Sequence, residues 1–452
     1  MIASHKLRKR DIYLNKLIAF QDTEPIKVVT GIRRCGKSSL LKLMAAHLRE
    51  NGVNDEQIIE MNFESYEFIK MTSDDLYQYV KERSLPGKRM YLFFDELQRM
   101  AGWENTINAF RVDLDCDIYI TGSNAYLLSS EYSTYLSGRC VEIKMLPLSF
   151  AEFIDFHGFT IQEVKSALGG TKKQAVDADG THYELREIFD AYMRYGGMPG
   201  IADVGLEQDK ALTLLDGIYS TVIVRDILER EKRRGQRQIT DAILLKKIIL
   251  FLADNIGSSV SVSSIGNTLV NEGLLDEGHR KTKPSAHTVQ AYVNALLEAY
   301  FFYDIKRFDI KGKSYLKYPN KYYFTDLGLR NARLNFRQYD PGHLMENAIY
   351  NDLLRQGYLV DVGVVNERRN GVSKVKEIDF VVNNGNKRTY IQSALRMDDE
   401  NKAEAELSSL KQTNDFFKKI VVRNDINHDF YDDNGFYHCS LTDFLLGKID
   451  LF

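Results

Sequence analysis

A chain of 452 residues is too long for one ordinary hydrophobic core and long enough for two to four domains. Apolar residues make up 44%, but the longest apolar runs, IILFLA and YFFY, fall far short of a bilayer span, which excludes a membrane-spanning helix. The net charge of −3 argues neither for nor against nucleic acid, because a basic face can be balanced by acid elsewhere.

The N-terminus, MIASHKLRKRDIYLN, is basic and has no apolar core of the kind a secretory signal needs. A cytoplasmic protein is expected, with Cys35, Cys116, Cys140 and Cys439 as reduced thiols, since their spacing suits neither a zinc site nor a disulfide framework. IKVVT (26–30) is a short β-branched run that ends at Gly31. After GIRRCGKS (31–38) comes a helical pattern, SSLLKLMAAHLRE. Further apolar runs at 58–63, 90–97, 117–124 and 140–148 alternate with amphipathic stretches, as a parallel sheet covered by helices requires. The fold class read from this is α/β.

The spacing G-x-x-x-x-G-K-S has a physical meaning. Gly31 and Gly36 let the backbone curl so that consecutive N–H groups point at phosphates, and the helix N-terminus behind them adds positive dipole. Gly31, Arg34, Cys35, Gly36, Lys37, Ser38 and Ser39 are therefore expected to hold ATP, with Lys37 on the β and γ phosphates and Ser38 on Mg2+. Asp95 and Glu96 close the strand YLFF, at the sheet edge where open α/β proteins bind ligands. Asp95 is expected to hold the magnesium, and Glu96 to orient and polarise the attacking water. The next strand, YITGSNA, ends in Ser123 and Asn124, which either sense the γ phosphate or simply make a turn.

These residues resemble a known family. The phosphate loop, the acidic pair extended as Asp95-Glu96-Leu97-Gln98, the extra strand between them, the polar strand tip and Arg139 in LSGRC look like the AAA+ ATPases. DELQ, PLSFAEF (147–153) and YGGMPG (195–200) resemble more narrowly the prokaryotic DEXX-box ATPases that carry a C-terminal domain of unknown function. The resemblance implies a P-loop NTPase (AAA+) core over 1–155, a helical lid over 156–238, a winged helix over 239–335 and a restriction-endonuclease-like domain over 336–452. It places Pro199 of the Gly197-Met198-Pro199 motif beside the adenine, although a turn between two helices has the same sequence. It also makes Arg139 a finger reaching into a neighbour's ATP, with Arg99 and Arg111 as other arginines able to reach an interface and an ordinary surface ion pair as the alternative role.

From 240 onward the organisation changes. Residues 240–254, 262–272 and 285–300 read as helices, the last capped by Ser285, with Val289, Val293, Leu296, Leu297 and Tyr300 on one face and His287, Gln290 and Asn294 outward. The alternating stretch after them turns at Lys311-Gly312-Lys313 like a β wing. Lys306, Arg307, Lys311, Lys313 and Lys317 make that wing basic, and a second basic run, REKRRGQR, spans Arg230 to Arg237. Phosphate binding leaves such a footprint, and so does a solvated charged surface.

The last region opens with an amphipathic helix containing Glu346, followed by strands near 358–363, 376–383 and 388–394. Nucleases of the resembled fold carry an acid on the second strand and E-x-K on the third. This sequence has Glu377 and Asp379, then Gln392-Ser393-Ala394. An amide offers no charge to a hard cation and alanine cannot stabilise hydroxide, so nuclease chemistry is expected to be lost and ranks last. The leading expectation is an ATPase that forms a homo-oligomer such as a hexamer and acts on DNA. The alternative is a nucleotide-gated signalling or defence switch acting on a protein partner.

Overall fold

The structure, a computed structural model, describes residues 7–125, 138–165, 171–228, 239, 241–271, 283–312, 314–337, 340–369 and 372–452. The chain divides into two compact units, one of residues 1–146 with 298–300 and one of residues 147–297 with 301–452.

The first unit alternates helix and strand: α1 (Asp11–Ala19), β1 (Ile26–Thr30), α2 (Lys37–Glu50), β2 (Ile58–Asn62), α3 (Ser73–Arg83), β3 (Met90–Asp95), α4 (Trp103–Asp113), β4 (Cys116–Gly122) and β5 (Cys140–Lys144). The strands form one parallel sheet in the order β2-β3-β4-β1-β5. Every residue of β1 and β3 is buried, as strands covered on both faces demand, and this explains their unbroken apolar runs. Val28, Leu92, Phe94, Ile118 and Ile120 form the core with Ile107 and Phe110 of α4. In the register, Thr30 lies beside Gly122 and Asn62 beside Asp95, so the polar strand ends gather at one sheet edge.

The second unit begins with α5 (Phe150–Phe156), whose Ser149 and Glu152 cap each other reciprocally. The segment 156–238, expected as a helical lid, opens with an antiparallel sheet of β6 (Thr160–Lys165), β7 (Thr171–Val176) and β8 (His182–Glu184) before its helices. Most of β6 faces solvent and lacks the half-apolar alternation that marks a strand in sequence. Helices α6 (Leu185–Tyr195), α7 (Gly200–Val204) and α8 (Gln208–Thr221) follow, with a π-helical stretch at Val222–Leu228.

Next come α9 (Ala242–Asp254), β9 (Ser259–Val260), α10 (Val262–Asn271), α11 (Ala286–Glu298), β10 (Phe302–Asp309) and β11 (Ser314–Phe324). Ser285 caps α11 through the Thr288 N–H, and Val289, Val293 and Leu296 are buried as the helical spacing requires. Beyond α12 (Leu327–Arg333) and α13 (Pro341–Gln356) lie β12 (Leu359–Arg369), β13 (Val372–Asn384), β14 (Lys387–Ala394), α14 (Glu400–Lys411), β15 (Lys418–Arg423), β16 (Phe430–Tyr431), β17 (Tyr437–Ser440) and α15 (Leu441–Leu445). The hairpin β10-β11 does not stand apart from them. One nine-stranded sheet runs β16-β17-β15-β14-β13-β12-β10-β11-β9, crossing the expected boundary at 335 through parallel pairing of Arg307 to Asp309 with Val362 to Val364. Gly363 permits that junction, since a Cβ there would lie 2.8 Å from Val381 Cγ2 and 2.9 Å from Ile310 Cδ1.

Candidate nucleotide-binding site

The loop 31–36 curls because three of its residues take left-handed conformations, Gly31 at φ 143°, Arg34 at φ 66° and Gly36 at φ 108°. Alternating handedness turns successive N–H groups to one side and makes an anion-binding concavity. Gly31 has no substitute here, because a Cβ would sit 2.0 Å from the Met145 carbonyl oxygen. α2 starts at Lys37, directly behind this concavity. The Lys37 ammonium is buried and donates to the carbonyls of Gly31 at 2.9 Å and Ile32 at 3.1 Å. Arg34, Ser38 and Ser39 are exposed, and Cys35 is buried with its thiol 3.5 Å from the Met145 carbonyl.

β4 lies between β1 and β3, so its tip separates the loop from the acidic pair and joins both into one edge. There Thr121 donates its hydroxyl to Asp95 Oδ1 at 2.5 Å and accepts the Glu96 N–H at 3.0 Å. Asn62, from β2, donates to Asp95 Oδ2 at 3.0 Å. Glu96 has φ 55° and ψ 39°, and its Oε2 accepts from Gln98 at 2.6 Å and from Ser123 at 3.4 Å. Asn124 is buried beside Ser123 at the strand tip. The sequence brought Lys37, Asp95, Glu96, Ser123 and Asn124 to this edge. It did not point to Thr121 or Asn62, although both are polar residues at the C-terminal ends of strands, a signal that was available.

The residues fit a nucleoside triphosphate with a divalent cation. The glycine cradle leaves no room for a side chain at Gly31, and the Asp95 carboxylate and Ser38 hydroxyl are oxygen donors of the hard kind that magnesium prefers.

Arg139 lies outside this edge. Its carbonyl accepts the Ile26 N–H at the start of β1, and its exposed guanidinium donates to the Asn108 side-chain oxygen at 2.9 Å. Arg99 is ion-paired with Glu64 at 3.0 Å and Arg111 with Glu24 at 2.7 Å.

Pro199 belongs to the second unit and precedes α7. The glycines before it serve close packing: the Gly197 N–H donates to Asp326 Oδ2 at 2.7 Å, and its carbonyl accepts the Leu148 N–H at 2.7 Å. A Cβ on Gly196 would lie 2.3 Å from Asp326 Oδ1.

Glu346 of α13 and Glu377 and Asp379 of β13 surround an ammonium that the sequence did not single out. Lys321 of β11 lies 3.1 Å from Glu346 Oε1 and 3.4 Å from Glu377 Oε2. Burial pushes the Asp379 carboxyl up and the negative charge of Glu346 adds to it, against Lys321 and the Ser393 N–H. Burial would also raise Glu346, but Lys321, His343 and Tyr323 outweigh it and hold that carboxyl below its usual range. Gln392 contacts Glu406 and Ser409, both at 3.4 Å, and Ala394 is buried. Arg307 of the expected basic wing is ion-paired with Glu377 at 2.5 Å, whereas Lys306 and Lys311 are exposed. Lys313, the side chain of Lys317 and the run from Arg230 to Arg237 lie outside the described residues.

The parallel sheet, its strand order and the curled glycine loop define the class: a P-loop NTPase of the AAA type, and residues 23–154 match the AAA domain family. Residues 186–340 match a domain of unknown function (DUF8612). The chain belongs to the same family as an uncharacterized protein of Haemophilus influenzae, with which it is 36% identical over 93% of this chain and 94% of that one. An uncharacterized protein of Methanocaldococcus jannaschii is 28% identical over 97% of this chain and 88% of its own. Among solved structures, a Walker-type ATPase of Pyrococcus abyssi is similar at 17% identity over 72% of this chain and 95% of that one, with a TM-score of 0.47. The RuvB Holliday junction branch migration motor of Thermotoga maritima is similar at 16% identity over 64% and 88%, with a TM-score of 0.32. Both structural similarities are remote. Among the described residues, no helix is long and apolar enough to cross a membrane.

Proposed function

We propose that this chain binds ATP with Mg2+ at residues 31–39 and hydrolyses it, as a ring-forming cytoplasmic ATPase that acts on DNA. The observation that carries the reading is the convergence of the phosphate loop, Asp95 with Glu96, and Ser123 with Asn124 on one sheet edge, with Thr121 bonded to both acidic residues. In this reading the Lys37 ammonium exchanges the carbonyls of Gly31 and Ile32 for phosphate oxygens. Ser38 and Asp95 hold the metal, which when bound neutralises charge on the phosphates. Glu96 orients the attacking water and Asn124 faces the γ phosphate. Arg139 completes the site of a neighbouring subunit, a role that its neutral amide partner leaves open, whereas Arg99 and Arg111 are engaged in ion pairs.

The three helices with β9, β10 and β11 have the order of a winged helix, and exposed Lys306 and Lys311 would meet phosphates. The region 336–452 is read as a restriction-endonuclease-like domain without cleavage chemistry, with Lys321 ion-paired to Glu346 and Glu377. The pairing of Arg307 with Glu377 reduces the basic footprint of the wing and favours a second reading, a nucleotide-gated switch whose partner is a protein.

ATPase rate measured against duplex, forked and single-stranded DNA at low salt, with particle mass with and without ATP, tests the choice. Stimulation by DNA is expected. A flat response with slow turnover and retained ADP points to the switch. Lys37→Ala should abolish binding or hydrolysis, and normal turnover in it would refute the site itself.

A further inference from the structure

The phosphate loop is held from behind by a residue that precedes the matched AAA domain. Arg10, just before α1, is 3% exposed, and its Nη1 donates to the Cys35 carbonyl at 2.9 Å and to the Leu146 carbonyl at 2.9 Å. Its guanidinium carbon stands 4.7 Å from the centre of the Tyr13 ring. The Tyr13 hydroxyl accepts the Leu146 N–H at 3.0 Å, so α1 grips both polar groups of residue 146 and one carbonyl of the loop.

The carbonyl in question matters because of peptide planarity. In a trans peptide the C=O and the following N–H point in opposite directions. A Cys35 carbonyl drawn back toward Arg10 therefore aims the Gly36 N–H away from Arg10 and into the loop. Gly36, at φ 108°, has no Cβ to resist rotation of that peptide plane, so nothing within the glycine itself keeps the N–H facing inward. The buried guanidinium also places a fixed positive charge behind the cradle.

We infer that Arg10 is a positioning residue for nucleotide phosphate, acting by locking the 35–36 peptide plane so that the Gly36 N–H is presented to the ligand. The inference rests on the reading of residues 31–39 as an ATP site. Its role is neither to touch substrate nor to fill the core, but to fix the orientation of one loop donor.

The test compares equilibrium binding of a fluorescent ATP analogue to the full chain and to Arg10→Met, Arg10→Lys and Lys37→Ala, each with its thermal melt. Loss of one charge-supported donor contact is expected to weaken binding by Arg10→Met about tenfold to a hundredfold. Arg10→Lys, whose single ammonium serves fewer directions, should fall between Met and wild type. In a further variant, Arg10→Ala, millimolar methylguanidinium should restore affinity, and it should not do so in Lys37→Ala. Binding by Arg10→Met within twofold of wild type, while Lys37→Ala loses it, overturns the inference. If Arg10→Met unfolds, Arg10→Lys with a native melt decides by the same criterion, and unfolding of both overturns the inference by making Arg10 a core residue. Wild-type binding together with wild-type turnover by Lys37→Ala instead overturns the ATP-site reading beneath it.

Discussion

Thr121 donates its hydroxyl to Asp95 Oδ1 at 2.5 Å, and the Thr121 hydroxyl oxygen accepts the Glu96 N–H at 3.0 Å. One side chain on β4 thus orients the carboxylate proposed to hold the metal and the backbone of the residue proposed to orient the water. Thr121→Val keeps the shape and removes both bonds. It should lower kcat by about ten- to a hundredfold, the loss of one or two buried hydrogen bonds, with little change in ATP affinity. Thr121→Ser should recover most of the rate. Steady-state kinetics on the three proteins check this, and an equal loss of affinity and rate would assign Thr121 to nucleotide binding instead.

At the other end of the same strands, Lys27 and Asp117 form an ion pair at 2.5 Å with both side chains fully buried. Asp117 also accepts the Asp22 N–H at 2.8 Å and the Tyr119 hydroxyl at 2.8 Å, and Lys27 donates to the Thr23 carbonyl at 2.8 Å. Lys27→Met strands a buried carboxylate and should cost about 3–5 kcal/mol of stability. Adding Asp117→Asn removes the stranded charge and keeps an acceptor for those two donors, so the double variant should be more stable than Lys27→Met alone. Denaturant unfolding of the pair of variants measures this. A double variant no better than Lys27→Met would show that the cost comes from packing.

A pH effect follows from the joint beneath the YGGMPG turn. Burial pushes the Asp326 carboxyl up to about 6, against the N–H groups of Leu329, Gly197 and Gly328. The unfolded carboxyl titrates near about 4, so between about pH 4 and 6 the unfolded chain releases a proton that the folded chain keeps. Stability therefore falls as pH rises through that window, and the full cost is present above it. Asp326→Asn has no such proton to lose. Relative to wild type, its stability should improve by roughly 2 kcal/mol between pH 4 and 7, whatever its offset at pH 4. Unfolding curves across that range check the difference, and a flat one would mean Asp326 ionises as an exposed carboxyl does.

How much of this was legible depended on sequence distance. β1, the glycine loop and α2 are contiguous, and their β-branched run, glycines and apolar periodicity each act locally, so the strand, turn and helix stood in the sequence as they stand in the fold. The acidic end of β3 and the polar tip of β4 were equally local. Ser285 announced α11 in the same way. Arg10 was not legible, because its two carbonyl partners lie 25 and 136 residues away and nothing in LRKRDIYLN separates a buried arginine from a solvated one. Lys321 reads as one more lysine of a basic wing until β10 pairs with β12 and brings it to Glu346 and Glu377. Pairing between distant strands has no local signature, and that pairing joined two regions between which the family resemblance implied a boundary.

The position of Arg139 separates a shared site from an isolated one. Its backbone is fixed to the start of β1, while the phosphate loop follows the end of β1, so within one chain the guanidinium stands at the sheet edge opposite the loop. In the proposed ring, an arginine there would reach ATP only in a neighbouring subunit. Fingers of this kind contribute on the order of 10³ to 10⁵ in rate where measured in GTPases, whereas an exposed surface ion pair contributes about 1 kcal/mol or less. Arg139→Ala should therefore keep ATP affinity and lose hydrolysis. Glu96→Gln should do the same for a different reason, since the amide fits but polarises water poorly. The decisive measurement mixes the two inactive proteins. If the proposed ring forms, mixed rings would contain interfaces with an intact Glu96 on one subunit and an intact Arg139 on the next, so ATPase activity should return in proportion to such interfaces. Full activity of Arg139→Ala alone, or mixtures that co-assemble and stay inactive, would show that Arg139 makes no part of a shared site and that the hydrogen bond to Asn108 is its whole role.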